Sequence, residues 1–436
     1  VQVGLCPLWV LGLTVVVWHD RGGAGISTQR QHIASGESST VKSLASSLPN
    51  NSSSGLSRRS ILQGAGLGAS ALVLAACSSG APAAPTVAVD LSDKQKSLRF
   101  DSRDTYRNTT GEDYPLLGEF SAATGISVTY SNAVSDDNVY YSKVKDQLRM
   151  GHDIGADASV LSEWMAARWI RFGYVQGLDL ERIPNLSNIR SRFAHAANDP
   201  HRNLSLPWRS GFTGIAWNKE ELPDGLSSVS ELWDPSLAGK VGVMSAMRDS
   251  LGLIMLDAGV DIQGSEWGDA EFSAAVETLR TQVNNGQLSG IMGNKYKEDL
   301  KSGKTIASIA RAGDIMQINA EAGDKWGFAL PEKGGVLWSD VVVIPSGSSH
   351  RSNAEDFINF YYDPEIAVQV AAATDFISPV DIRQLEIDVL DESVASNRMV
   401  FPTPVTFESA RTFRTLSQGE EQRYGAQYQT VLLGAS

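Results

Sequence analysis

From Leu98 onward, short apolar runs alternate with amphipathic stretches, the order expected of an α/β protein. Ile126, Val128 and Tyr130 alternate with Ser127, Thr129 and Ser131, which predicts a strand directly after the helix-stopping pair Thr124 and Gly125. A helix over 136–150 would place Tyr140, Val144 and Leu148 on one face. The run at 156–161 predicts a buried strand, with Ser162 as N-cap of a helix over 163–172. Further strands are expected at 211–217 and 241–245, and Phe272, Val276, Leu279 and Val283 make a helical stripe. The continuous apolar runs 305–310 and 341–344 fit strands covered on both faces, and helices should follow at 353–362 and 364–373.

The front of the chain has a different character. Arg58 and Arg59 precede an apolar, Gly and Ala rich run from Ile61 to Ala76, the pattern of an export signal and too short for a span of about 20 residues. Ser57, Arg58, Arg59, Ile61 and Leu62 resemble a twin-arginine signal, and Leu74 to Cys77 resembles a lipobox with Cys77 as the lipidated residue. Residues 1–56 hold an apolar run from Val1 to Trp18 and a Ser, Asn and Gly rich tract. They read as a mis-assigned start, with a first membrane helix as the alternative. The Ala and Pro rich stretch after Cys77 reads as a tether reaching to 95.

Charge narrows the partners. The chain of 436 residues has 37 Lys and Arg against 50 Asp and Glu; five basic and two acidic residues precede Cys77, leaving 32 against 48 and a net −16 for the rest. Nucleic acid and an anionic bilayer both need clustered basic residues, so neither is an expected partner of the body. Cys6 and Cys77 are the only cysteines and the histidines lack ligand spacing, so no metal or other cofactor is expected. No nucleophile elbow, phosphate loop or dinucleotide fingerprint is present outside the leader, which points to binding and not to an enzyme. Tyr361 and Tyr362 could ligate ferric iron but read as packing at the end of an apolar helix.

Seven blocks then stand in one order: EFSAATGISVTY at 119–130, VLSEWMAARWIRFGYVQGLD at 160–179, PWRSGFTGIAWN at 207–218, LAGKVGVMSAMRDSLGLIML at 237–256, ARAGDIMQ at 310–317, PEKGGVLWSDVVVIP at 331–345 and YYDPEIAVQVAAATDFISPV at 361–380. With them the chain, from about Leu98 to Gly425, resembles the spermidine and putrescine binding proteins of bacterial ABC importers. The resemblance implies a two-lobed periplasmic-binding-protein fold, with discontinuous lobes joined by strands crossing near Trp208–Ala216 and Trp338–Ile344 and a ligand cleft between them. Lobe 1 is expected to comprise 96–210 and 340–384, and lobe 2 to comprise 211–339 and 385–436.

A polyamine is a methylene chain with ammonium groups at intervals, so its site needs spaced carboxylates and aromatic faces between them. Trp338 and Asp340 match the family's aromatic and carboxylate pair, which makes Asp340 the expected ammonium partner. Ser162, Trp164, Asp249, Phe376 and Tyr106 match further ligand positions, with Glu163 beside them. Three positions depart from the pattern. Arg311 stands where the family has a Trp, Ala246 where it has an acid, and Arg103 beside Tyr106 where an aromatic pair is expected. The two arginines would repel ammonium unless paired with Asp314, Asp249 or Glu163, and they offer a grip on a carboxylate. Arg248 reads as a structural ion-pair partner.

The expected function is therefore capture of a polyamine by an exported, lipid-anchored monomer, at the outer face of the cytoplasmic membrane or in the periplasm. It would deliver the solute to a permease driven by a separate ATPase subunit. The alternatives are the same fold with an amino-acid-like or carboxylate-bearing solute, and an exported hydrolase or surface adaptor.

Overall fold

A computed structural model describes residues 85–103, 106, 114–385 and 390–435. The expectations for Arg58, Arg59 and Cys77 lie outside the described residues. Chain order runs β1 (Ser97–Asp101), α1 (Leu117–Thr124), β2 (Ser127–Ser131), α2 (Asp137–Met150), β3 (Ala158–Ser162), α3 (Glu163–Arg171) and then β4 (Leu206–Asn218). There follow β5 (Val241–Met244), α4 (Met247–Asp257), α5 (Asp269–Asn284), β6 (Leu288–Met292), α6 (Tyr296–Lys301), β7 (Ala307–Arg311), α7 (Ala312–Ala322), β8 (Trp326–Ala329) and β9 (Gly335–Val343). The last elements are α8 (Arg351–Tyr361), α9 (Pro364–Thr374), α10 (Glu392–Ala395), α11 (Pro404–Glu408), β10 (Ala410–Arg411) and α12 (Gln418–Gly434).

The strands form the order β2-β1-β3-β9-β4-β7-β5-β6, with β10 beside β9 and β8 beside β4. β1 pairs in parallel with β2 and β3, and β5 in parallel with β6 and β7, because helices carry the chain back between them. Gly125 ends α1 at φ 72°, the left-handed conformation that glycine adopts without strain. β4 and β9 run antiparallel to each other, to β7 and to β3, whereas the short β10 joins β9 in parallel.

Those two strands join two apolar cores. At one end of β4, Leu206 and Trp208 pack with Phe100, Phe357 and Val342 in the first core. At its other end, Ile215 and Ala216 pack with Leu253, Phe272 and Val336 in the second. Thirteen residues of strand reach on the order of 40 Å, enough to serve both lobes. Burying each large apolar side chain contributes roughly 1.5–3 kcal/mol, so both cores hold the crossing strands in place. Between the cores, Phe193, Phe212, Leu337, Ile377 and Phe407 form a small apolar cluster at the crossing. Val400 and Phe401, beyond the expected boundary at 385, still pack in the first core, while Phe413 and the helix α12 pack in the second.

Two expectations need correction. The tether does not extend to 95: Ala88 and Leu91 donate backbone bonds to Ser346 and Ser349. Asp90 accepts from the backbone and hydroxyl of Ser352 at the start of α8. Burial opposes charge on Asp90, but the bonds from Ser352 and Ser92 outweigh it and bring its pKa down to about 2. The short polar stretch is thus docked as a cap on α8. Ser162 occupies the N-cap position of α3 but makes no capping bond, because its hydroxyl is engaged elsewhere. Tyr361 and Tyr362 are buried, with their hydroxyls donated to the carbonyls of Pro115 and Pro207, as packing requires.

Candidate functional site

Strand register builds the site. Ser162 at the end of β3 lies opposite Asp340 on β9, and Trp338, two residues before Asp340, lies opposite Gly211 on β4. A side chain at 211 would meet the Trp338 ring at 2.5 Å, so glycine there lets the indole lie flat across the strand.

Asp340 is buried and accepts from the Tyr106 hydroxyl at 2.7 Å and from Arg103 Nε. A longer bond, 3.3 Å, joins Arg103 Nη2 to its other oxygen. Arg103 Nη2 also donates to Asp137 at 3.0 Å and to the Ser162 hydroxyl at 2.9 Å. Asp137 in turn accepts the Ser162 backbone N–H and hydroxyl at 3.0 and 2.8 Å. The guanidinium of Arg103 is thus held between two buried carboxylates. Burial opposes the charge on Asp137, yet Arg103 and the Ser162 bonds prevail and keep its carboxyl below the usual range. Burial would pull Arg103 down as well, but Asp137 and Asp340 drive its pKa up. Burial and the neighbouring Asp340 charge push the Tyr106 phenol well up, so it stays a hydrogen-bond donor.

Aromatic contacts continue the cluster. Tyr106 meets Phe376 edge-on with ring centroids 4.8 Å apart, and Phe376 meets Trp338 at 5.8 Å. The Arg311 guanidinium lies over the Trp338 ring, 5.1 Å from its centroid. Arg311 Nη2 donates to Asp249 at 2.8 Å, and Thr213 on β4 donates to the second oxygen of Asp249 at 2.7 Å. Asp314 is occupied by the Tyr296 hydroxyl at 2.6 Å and by Lys297.

Ser162, Tyr106, Asp340, Trp338, Phe376, Arg311 and Asp249 therefore form one connected group, drawn from both ends of the chain. Arg311 has a partner expected for it, Asp249. Arg103 does not: it takes Asp340 and Asp137, because the β9 register sets Asp340 beside the loop that follows β1. Glu163 stands next to the group but pairs with Arg202 at 3.2 Å; burial nonetheless raises its pKa. Trp164 carries two guanidinium groups, Arg248 at 4.5 Å and Arg168 at 5.2 Å. Burial brings Arg248 down to about 10, opposed by its partner Glu421 at 3.4 Å. Asp137, Arg202 and Glu421 were not singled out by sequence. No motif or spacing marks them, because each acts through a partner distant in the chain.

Comparison with known proteins follows the same outline. The bacterial extracellular solute-binding protein family matches residues 116–391, more than half of the chain. The spermidine/putrescine-binding periplasmic protein of Escherichia coli is 26% identical over 298 residues, which cover 67% of this chain and 81% of that one. A putrescine/cadaverine-binding protein of Pseudomonas aeruginosa is 28% identical over 251 residues, 52% of this chain and 69% of that one. Among solved structures, a putative spermidine/putrescine ABC transporter from Listeria monocytogenes superposes with a TM-score of 0.65 at 21% identity, covering 77% of this chain and 99% of that one. Its two-lobed fold is the fold described above. The family and these relatives are solute-binding transport proteins, and on the family match this chain belongs to the bacterial extracellular solute-binding proteins.

Proposed function

We propose that this protein captures an amine-bearing solute, a polyamine or a solute built like one, between its lobes and delivers it to the permease of an ABC importer. The observation that carries this reading is the buried Asp340 carboxylate beside the rings of Tyr106, Phe376 and Trp338. A carboxylate can offset the lost hydration of an ammonium group, and rings can cover methylenes while attracting charge, each contact contributing roughly 0.5–2 kcal/mol. The two named relatives, a spermidine/putrescine-binding protein and a putrescine/cadaverine-binding protein, support the same solute class. Asp340 already holds one cation, the Arg103 guanidinium, and an ammonium group would share or take that place. ATP hydrolysis would belong to a separate subunit, since closing a cleft needs only the solute's preference for the closed form.

The test is titration calorimetry of the purified protein with putrescine and spermidine. Saturable binding of either is expected, and no heat from both would remove the polyamine reading. Lipidation at Cys77 would hold the acidic body at the membrane, which has no electrostatic hold on it. Cys77→Ala is accordingly expected to move the protein from the membrane to the soluble fraction of cells, and unchanged retention would defeat the anchor.

A further inference from the structure

We propose that the solute of this cleft carries a carboxylate as well as an amine, and that Arg311 is the residue that grips the carboxylate. This rests on the reading of the cleft as the solute site. A bound solute must balance the donors and acceptors that line its site. A polyamine at neutral pH brings only N–H donors, so its site must hold acceptors with capacity to spare. Here the buried carboxylates are engaged by the protein's own donors: Asp137 and Asp340 by Arg103, Asp249 by Arg311 and Thr213, Asp314 by Tyr296 and Lys297.

What is left over is donor capacity. Of the several buried donors without a hydrogen-bond partner among the described residues, Arg311 Nε, Trp338 Nε1 and Arg248 Nε are three that lie at or beside this group. The unpartnered acceptor nearby, Glu163 Oε1, lies 3.2 Å from Arg202 and is neutralised by it. Leaving a buried donor unpaired is costly, so these three call for an acceptor.

Arg311 is suited to the task. It spends only Nη2 on Asp249, its plane is supported by Trp338, and its side chain remains 27% exposed. A guanidinium offers paired donors that match the two oxygens of a carboxylate. At the other end, the Asp340 oxygen that holds only the 3.3 Å bond from Arg103 has room for an ammonium N–H.

Three probes decide the matter by calorimetry: putrescine, 5-aminopentanoate, which keeps the methylene chain and replaces one ammonium by a carboxylate, and glutarate, which has no amine. 5-Aminopentanoate is expected to bind at least tenfold more tightly than either other probe. Arg311→Gln should cut that affinity tenfold or more and raise that for putrescine, with circular dichroism confirming the fold. Arg311→Lys, which keeps a charge for Asp249 but loses the fork, should show the same loss to a smaller degree and serves if the Gln variant does not fold. Tighter binding of putrescine, with a preference unmoved by either variant, overturns the inference and leaves the amine reading intact. Binding of glutarate alone overturns the amine reading, and binding of none overturns both.

Discussion

Asp340→Asn should weaken binding of an amine-bearing solute by roughly thirtyfold or more, with putrescine as the calorimetric probe. The substitution keeps the side chain's shape on β9 and removes its charge, so the strand pairing with Ser162 and Arg209 is retained. Removing one member of a desolvated charge pair costs about 2–5 kcal/mol in binding, and each 1.4 kcal/mol is tenfold. The same change also frees an amide N–H beside Arg103 and Tyr106, which had been donating to a carboxylate. Stability should fall by about 1–3 kcal/mol, a modest loss because Arg103 keeps Asp137 and Ser162. The two readouts separate the roles. A variant that melts earlier but binds putrescine unchanged would make Asp340 a structural anchor for Arg103 and remove it from the solute site.

The sequence carried the fold where burial is simple. Continuous apolar runs at 305–310 and 341–344 meet strands covered on both faces, β7 and β9, and the alternation at 126–130 meets β2. The crossing strands were longer than their apolar pattern. The first half of β4 contains Pro207 and Arg209, where the register shifts, and Arg209 is buried by donating to Tyr114 and the Trp208 carbonyl. No local pattern announces such a strand, because its stability comes from β9, more than a hundred residues away. β6 was missed for a different reason: it is half-buried throughout and shows no alternation. Residue types in matching blocks named Trp338, Asp340 and Phe376, which the structure brings together, but their partners could not be read from sequence. Arg103 lies 237 residues from Asp340 and meets it only through the sheet order β1-β3-β9.

Closure of the cleft supplies the second large effect, centred on a residue that sequence gave no reason to choose. Glu421 on α12 is almost fully buried and is approached by Arg168 at 3.3 Å, Arg171 at 3.7 Å and Arg248 at 3.4 Å. Arg168 and Arg171 lie on α3, which packs with β3 and β9 at the first lobe, whereas α12 stacks Tyr424 on Phe272 in the second core. One carboxylate therefore ties the lobes together, and Trp164 holds Arg248 and Arg168 close to it. Without its charge, the guanidinium groups of Arg168 and Arg171 on α3 and of Arg248 on α4 stand close together with less to offset their repulsion. Glu421→Gln should shift the balance toward the open form. The arginines are partly exposed, so solvent screening limits the effect to roughly 1.4 kcal/mol, or tenfold in apparent affinity, since affinity scales with the fraction able to close. Small-angle scattering should report a larger radius of gyration, and the loss should shrink as salt is raised, because ions screen the same charges in the parent protein. If Glu421 merely fastens α12 to its own lobe, the variant would melt earlier while its radius of gyration and solute affinity stayed at the parent values.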